Sequence, residues 1–462
     1  MSPPPDGAPG WTALFSRRYA RTTIGLVALE TLAAVVSLVT VAVLPAVTHD
    51  LGDLRLYGAA LAAPTLAMVV VLPLTPALVG RLGLRAVFLA SSALYVAGTA
   101  VVVLAPTMAV FVAGRLAQGA AGGAQAVLVL AIFARRYPTG LRASMLAVWS
   151  TAWALPGLVG PAYGGLVASA LGWRWAFALL LPLLVPPVFL LLPDLAPRAA
   201  TAPPDVPAPA VATPRWLATL GGVSLVLVGL LLGGRGGGAL AAAGGLATLL
   251  ALRAILPPGT FHARRGLPAV MVAAFAVSAA FFAVDGFLPA MLTGLRGLHL
   301  AAASLVLSLG VLGWVVGTWW QSRAVTVRRA PLLVAAGAAV IAVGVVGAVL
   351  GTLGAPLWVP YLGWAVAGLG MGVAYPTITL LATDHGPTTD QVVTLSRYQL
   401  AETLGAAVGP GLGGVALSVS LASGAGLRTG LLAGFTMALA LSLGTVAVAG
   451  RLPGLAEAPG AG

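Results

Sequence analysis

Apolar runs of about 20 residues follow one another from end to end of this 462-residue chain, and only 8% of its positions are charged. A run of that length is what an α-helix needs to cross a hydrocarbon layer about 30 Å thick. Soluble domains carry about three times as many charges. Lipid offers backbone groups no water, so each run must satisfy its own hydrogen bonds as a helix. The runs are continuous and do not alternate, which excludes a β-barrel. The expected class is an all-α, multi-pass membrane protein.

Hydropathy predicts fourteen helices, over 22–48, 55–79, 86–105, 108–134, 143–171, 175–193, 216–233, 237–256, 266–293, 300–322, 331–352, 357–383, 393–421 and 427–450. The pair over 216–256 is close to the lower length limit for a span, and "GGRGGG" (233–238) joins it as a tight turn. All 24 basic residues are Arg. With the N-terminus placed in the cytoplasm, 18 Arg fall at inner loops and helix ends and five at outer loops, leaving Arg115 inside the membrane. That bias fixes orientation and favours an even number of spans, with both termini at the inner face of the plasma (inner) membrane. The basic charge therefore has a topological use and does not indicate nucleic acid.

Residues 1–21 have no apolar signal-peptide core and read as a disordered cytoplasmic tail, and 451–462 as a second cytoplasmic tail. The Pro- and Ala-rich stretch 194–215 reads as an extended cytoplasmic linker. Internal repetition sets the remaining organisation. "GPAYGG" (160–165) and "GPGLGG" (409–414) lie 249 positions apart, as do "GRLAQGAAGG" from Gly114 and "GWAVAGLGMG" from Gly363. "VLPA" (43–46) matches "FLPA" (287–290) at a similar offset. The domains expected are thus two six-helix bundles, 22–193 and 266–450, related by pseudo-symmetry, with 216–256 as an inserted transmembrane hairpin. Such repeats are a mark of secondary transporters.

These residues resemble the major facilitator superfamily. "GLVGPAYGG" (157–165) is similar to its antiporter motif and "RLAQG" (115–119) to its fourth-helix motif. "GWRWAF" (172–177) is similar to the fourteen-helix drug:H⁺ antiporter branch. The resemblance implies a major facilitator fold, an Arg115 facing a central cavity and engaged in proton coupling, and a gating loop at Arg81, Gly83 and Arg85. That loop departs from the family pattern: Pro76, Gly80 and Leu84 stand where Gly, Asp and Arg are usual. Val36 replaces an acid frequent in the first helix, and Glu30 lies nearby instead. Fourteen-helix members often carry an acid in the thirteenth helix that affects substrate handling, and the resemblance implies that role for Glu402.

A charge within hydrocarbon costs about 2.5–3.5 kcal/mol on insertion scales, so Glu30, Arg115, Asp285 and Glu402 each need a reason. Glu30 lies about 12 Å from the inner end of its helix and Glu402 about 14 Å. The four are candidates for proton coupling. Glu30, with Gln118 and Gln125 on the Arg115 face and the rings of Trp149, Trp153 and Tyr375, is a candidate for substrate binding. Packing, snorkelling to headgroups or an interfacial belt are the alternative uses. Three acids against one base favour protons and cationic or neutral amphipathic solutes. The Pro and Gly of the repeated motif, Gly157, Gly160, Pro161, Gly164, Gly165, Gly409, Pro410, Gly413 and Gly414, are expected to form two matched helix hinges with smooth faces for close helix approach.

Several classes are excluded. There is no Cys, hence no disulfide or thiolate metal site. The four His (His49, His262, His299, His385) are scattered near span ends, and no metal is expected. "GLGMG" (368–372) lacks a preceding strand, and no Walker A or hydrolase motif occurs. The expected function is export of small lipophilic or cationic molecules, drugs or secondary metabolites, by a monomer driven by a proton gradient without a cofactor. Substrate is expected at mid-membrane between rocking bundles. Lipid export, small-solute import, and an enzymatic or sensory role are the alternatives.

Overall fold

The computed structural model describes residues 10–52, 56–195, 214–232, 234–253, 255–298, 300–325, 329–384 and 391–455. The proposed linker thus lies mostly outside the described residues, as do His299 and His385. The helices are α1 (Gly10–Ala13), α2 (Ala20–Leu51), α3 (Tyr57–Val71), α4 (Thr75–Leu82), α5 (Leu84–Leu104), α6 (Met108–Arg136), α7 (Thr139–Leu171), α8 (Trp173–Ala178) and α9 (Val185–Leu191). They continue as α10 (Pro214–Leu232), α11 (Gly234–Arg253), α12 (Leu267–Asp285), α13 (Leu288–Gly294), α14 (Leu300–Ala324), α15 (Ala330–Leu353), α16 (Trp358–Asp384), α17 (Gln391–Ala422) and α18 (Gly426–Ala449). Among the described residues, eleven helices are long and apolar enough to cross a membrane, or twelve if α3 and α4 form one span. Helices occupy all fourteen expected places, but α7 and α10 are not in that set.

Three expected helices are interrupted, and proline or glycine explains each. The helix expected over 55–79 is α3 and α4, bent by 55°. Pro73 and Pro76 lack an N–H, so the ladder cannot continue across 72–74. The freed carbonyls find side chains: Trp216 Nε1 donates to the Val70 oxygen at 3.1 Å, and the Ser396 hydroxyl donates to that of Leu72. The helix expected over 175–193 is α8, a 3-10 turn at Leu181–Leu184 and α9, with Pro182, Pro186 and Pro187 inside it. The helix expected over 266–293 breaks between Asp285 and Leu288, at Gly286 and just before Pro289. The N-terminal tail also differs from expectation. From Gly10 it is folded, with Leu14 fully buried and its carbonyl accepting from Thr23 Oγ1 at 3.0 Å.

The chain divides into two compact units, and each claims part of a helix that continues into the other. Unit 1 holds Met1–Arg136, Leu155–Leu256 and Thr388–Leu400; unit 2 holds Tyr137–Ala154, Pro257–Pro387 and Ala401–Gly462. The first half of α7 thus belongs with unit 2, where Arg142 pairs with Asp384 at the end of α16. The first turns of α17 belong with unit 1, where Arg397 Nε donates to the Ile255 oxygen at 3.1 Å.

Lipid is as apolar as leucine, so apolar burial does little to hold these helices together; close backbone approach does. In unit 1 a Cβ on Gly119 would lie 2.2 Å from the Pro64 oxygen, and one on Gly98 3.0 Å from that of Gly114. In unit 2 a Cβ on Gly368 would lie 2.0 Å from the Gly310 oxygen, and Gly347 faces Gly363 in the same manner. The repeat seen in sequence is therefore a repeat of helix contacts: α6 packs on α3 and α5 as α16 packs on α14 and α15. The hairpin α10–α11 uses the same device, Gly222 against Gly244 and Gly229 against Gly237. Its outward leucines, such as Leu217, Leu232, Leu246 and Leu250, are more than half exposed.

Candidate functional site

In unit 1 the buried polar face of α6 meets a matching face of α5. Arg115, Gln118 and Gln125 are 7%, 3% and 9% exposed, so they need partners. Arg115 Nη1 donates to Gln118 Oε1 at 2.7 Å, Gln118 Nε2 donates to Thr99 Oγ1 at 2.9 Å, and Gln125 Nε2 donates to Ser92 Oγ at 3.2 Å. Arg115 Nε is buried without a hydrogen-bond partner, which leaves this guanidinium with a donor in reserve. Beside the network is a small recess lined by Leu29, Ala33, Ser92, Tyr95, Val96, Gln125, Leu184 and Val188. Tyr95 lies close enough to both Glu30 and Arg115 to feel their charges. Two of the four candidate charges, Glu30 and Arg115, thus act electrostatically on one tyrosine that sequence reading missed. Ser92, Tyr95 and Thr99 sit at i, i+3 and i+7 of a mostly apolar helix, a polar stripe that was available as a signal.

In unit 2 the other two charges are each held by an aromatic donor. Trp364 Nε1 donates to Asp285 Oδ1 at 3.1 Å, and Tyr375 Oη donates to Glu402 Oε1 at 2.9 Å. Rings connect the two. Phe281 stacks on Trp364 with centroids 4.7 Å apart, Trp314 meets Phe281 edge-on at 5.6 Å, and Tyr375 meets Trp314 at 5.5 Å. Gly310 makes this possible, because a Cβ there would lie 2.7 Å from the Trp364 indole nitrogen. Trp364, Phe281 and Trp314 were not expected from sequence. The repeat held the signal, since Trp364 occupies the register of Arg115, 249 positions on. Glu402 likewise occupies that of Trp153. The two halves have exchanged charge for ring at matched positions.

The remaining candidates are more dispersed. Trp149 is half-buried in the part of α7 that belongs to unit 2. The surroundings of the Trp153, Gly157, Gly160, Pro161 and Gly165 side chains lie outside the described residues. Gly164 is buried against Val39, Ala42 and Val43 of α2. In unit 2, Gly409 faces the Ala279 oxygen of α12 and Gly413 the Phe287 ring, with Gly414 beside it. Gly405 extends that face one turn earlier, against the Phe275 oxygen. α17 runs on as helix through Pro410. Arg81 lies in the last turn of α4 and Arg85 in the first turn of α5, so the expected loop is one residue, Gly83, at φ +80°. Both arginines are exposed.

The sequence model of the Major Facilitator Superfamily matches residues 26–410. A probable multidrug-efflux transporter of Mycobacterium tuberculosis is 30% identical over 451 residues, covering 92% of this chain and 93% of that one. A multidrug transporter of Bacillus subtilis is 22% identical, covering 79% and 69%. Among solved structures, the human organic anion transporter MFSD10 aligns with a TM-score of 0.69 at 17% identity, covering 93% and 99%. The proton:xylose symporter XylE aligns at 0.66 and 16%, covering 93% and 95%; at such identities these two speak for the fold. With the family model spanning most of the chain and a 30% identical relative matched almost end to end, this protein belongs to the Major Facilitator Superfamily, as a multi-pass membrane transporter and not an enzyme.

Proposed function

We propose that the protein exports small lipophilic or cationic molecules across the plasma (inner) membrane by alternating access, driven by inward proton flow. The observation that carries this reading is the array in unit 2, two membrane-embedded carboxylates joined by a ladder of touching rings. Aromatic faces attract cations and flat apolar bodies, and a carboxylate within the membrane calls for a countercharge. A proton and a cationic substrate compete for that role, and competition for one charge is the simplest form of antiport. Protonation is then the local event, and the two-state transporter is the element it biases. Glu30, Arg115 and Tyr95 in unit 1 offer a second place where a proton changes the local charge. The relatives described as multidrug-efflux transporters support the same direction of transport. In this reading the hairpin α10–α11 crosses the membrane, giving fourteen spans with both termini cytoplasmic, and the protein acts as a monomer. The Gly-Pro segments of α7 and α17 serve as matched hinges.

The test uses proteoliposomes loaded with an amphipathic cationic dye under an imposed pH gradient. Wild type is expected to move the dye, and Glu30→Gln and Glu402→Gln to lose gradient-driven flux. Equal flux by all three removes these acids as coupling sites, and a preference for anionic solutes removes the substrate class.

A further inference from the structure

The N-terminal segment before the first span is not a loose tail, and its composition is that of a membrane-surface anchor. Leu14 is fully buried and Tyr19 is 7% exposed. On either side of Leu14, Trp11 and Phe15 are 39% and 50% exposed. Arg17 and Arg18 follow and are exposed, and the apolar span begins at Ala20. Aromatic side chains next to arginines, immediately before a span, belong at the level of lipid headgroups.

The arginines form a cluster with a defined floor. Arg136, at the end of α6, donates to the Arg18 carbonyl oxygen. Its guanidinium and that of Arg18 each lie 5.3 Å from the centroid of the Tyr19 ring. Asp194 is the acid within this group, and its carboxylate is already used. It accepts from Thr22 Oγ1 at 2.7 Å and pairs with Arg21 at 3.3 Å and Arg136 at 3.2 Å, with its side chain only 7% exposed. Among the described residues, no ion pair involves Arg17, Arg18 or Arg135. Three exposed cations, Arg17, Arg18 and Arg135, thus adjoin in sequence a floor whose single acid is outnumbered by its arginines, with two exposed rings nearby in the chain.

We propose that residues 11–21, together with Arg135 and Arg136, form a docking site for the anionic headgroup of a membrane phospholipid. Its phosphate sits among Arg17, Arg18 and Arg135, and its acyl chains lie along Phe15 and Trp11. Such lipid lies where the first span begins, and juxtamembrane arginines are attracted to it. The floor ties together the start of α2, the end of α6 and the end of the sixth span through Asp194, so a bound lipid braces three spans of unit 1. This site is separate from the carboxylates and rings of the transport reading and stands or falls without it.

The full-length protein is reconstituted in nanodiscs of phosphatidylcholine with or without phosphatidylglycerol. Lipid retained after release into detergent is counted by native mass spectrometry, and thermal unfolding is followed in both discs. Wild type is expected to retain phosphatidylglycerol in preference to phosphatidylcholine and to melt higher in its presence. The triple variant Arg17→Gln/Arg18→Gln/Arg135→Gln is expected to lose that preference by about tenfold or more. The matched triple Arg265→Gln/Arg323→Gln/Arg329→Gln, in unit 2, is expected to keep it. Equal loss by both triples means attraction to overall charge and overturns the site. Should the first triple fail to fold, Trp11→Ser/Phe15→Ser decides. It leaves every charge in place and is expected to lower retention and the melting shift, whereas retention equal to wild type overturns the proposal.

Discussion

Two carboxylates inside a membrane survive because each is given a donor. Tyr375 donates to Glu402 and Trp364 to Asp285, and a hydrogen bond to a charged group is worth about 1.5–3 kcal/mol net. A double-mutant cycle on Tyr375→Phe and Glu402→Gln should therefore return a coupling of about 1.5–3 kcal/mol in detergent unfolding, and a coupling near zero would show the pair to be incidental. The acids themselves were legible in the sequence, because a charge among apolar residues stands out. Their partners were not: a Trp, Phe or Tyr in a membrane helix is unremarkable until a neighbouring helix places it. Arg115 shows the intermediate case. Gln118, one turn on, was visible from helical spacing, whereas Thr99 comes from a separate helix.

Glycine decides how closely helices pack. α17 meets α12 through Gly405 and Gly409, and Phe287 just beyond α12 through Gly413, the three glycines spaced four apart on one face. A Cβ on Gly409 would fall 2.2 Å from the Ala279 oxygen, and that atom is backbone, so the helices must separate. Gly409→Ala is expected to cost about 1–3 kcal/mol, read as a lower midpoint in thermal unfolding. Gly411→Ala, where a Cβ meets nothing within 4 Å, is the control expected to be silent. The i, i+4 spacing of Gly409 and Gly413 announced this face. The breaks at 72–74 and 286–287 were harder to read, since proline is also tolerated in unbroken spans such as α16, which carries Pro376. At 72–74 neighbouring side chains satisfy the freed carbonyls, as Trp216 does for Val70.

At the level of the whole molecule, two expectations concern connectivity. The absence of Cys makes the topology directly testable. A single Cys replacing Arg235 at the start of α11 should react with an impermeant thiol reagent added outside intact cells. One replacing Arg265 should react only after permeabilisation. Labelling of both from the same side would mean the hairpin does not cross. The other expectation concerns the half of α7 held by unit 2. Arg142 and Asp384 pair there with side chains 13% and 5% exposed. Removing one partner strands a largely buried charge, at a cost of about 3–5 kcal/mol. Asp384→Asn is therefore expected to lower the unfolding midpoint more than the double change Arg142→Gln/Asp384→Asn does.

The sequence by itself determined the class, the helices, the repeat and the membrane-embedded charges, because hydrocarbon penalises polar groups and broken helices severely enough to leave few options for each segment taken alone. Only the tertiary structure decided which rings and amides receive those charges, where spans break, and which unit claims each half of α7 and α17. Those outcomes depend on contacts between helices far apart in the chain. Lipid is as good a solvent for a leucine as another helix is, so apolar pattern carries no instruction about which helices meet; backbone approach at glycine and side-chain hydrogen bonds across helices supply it.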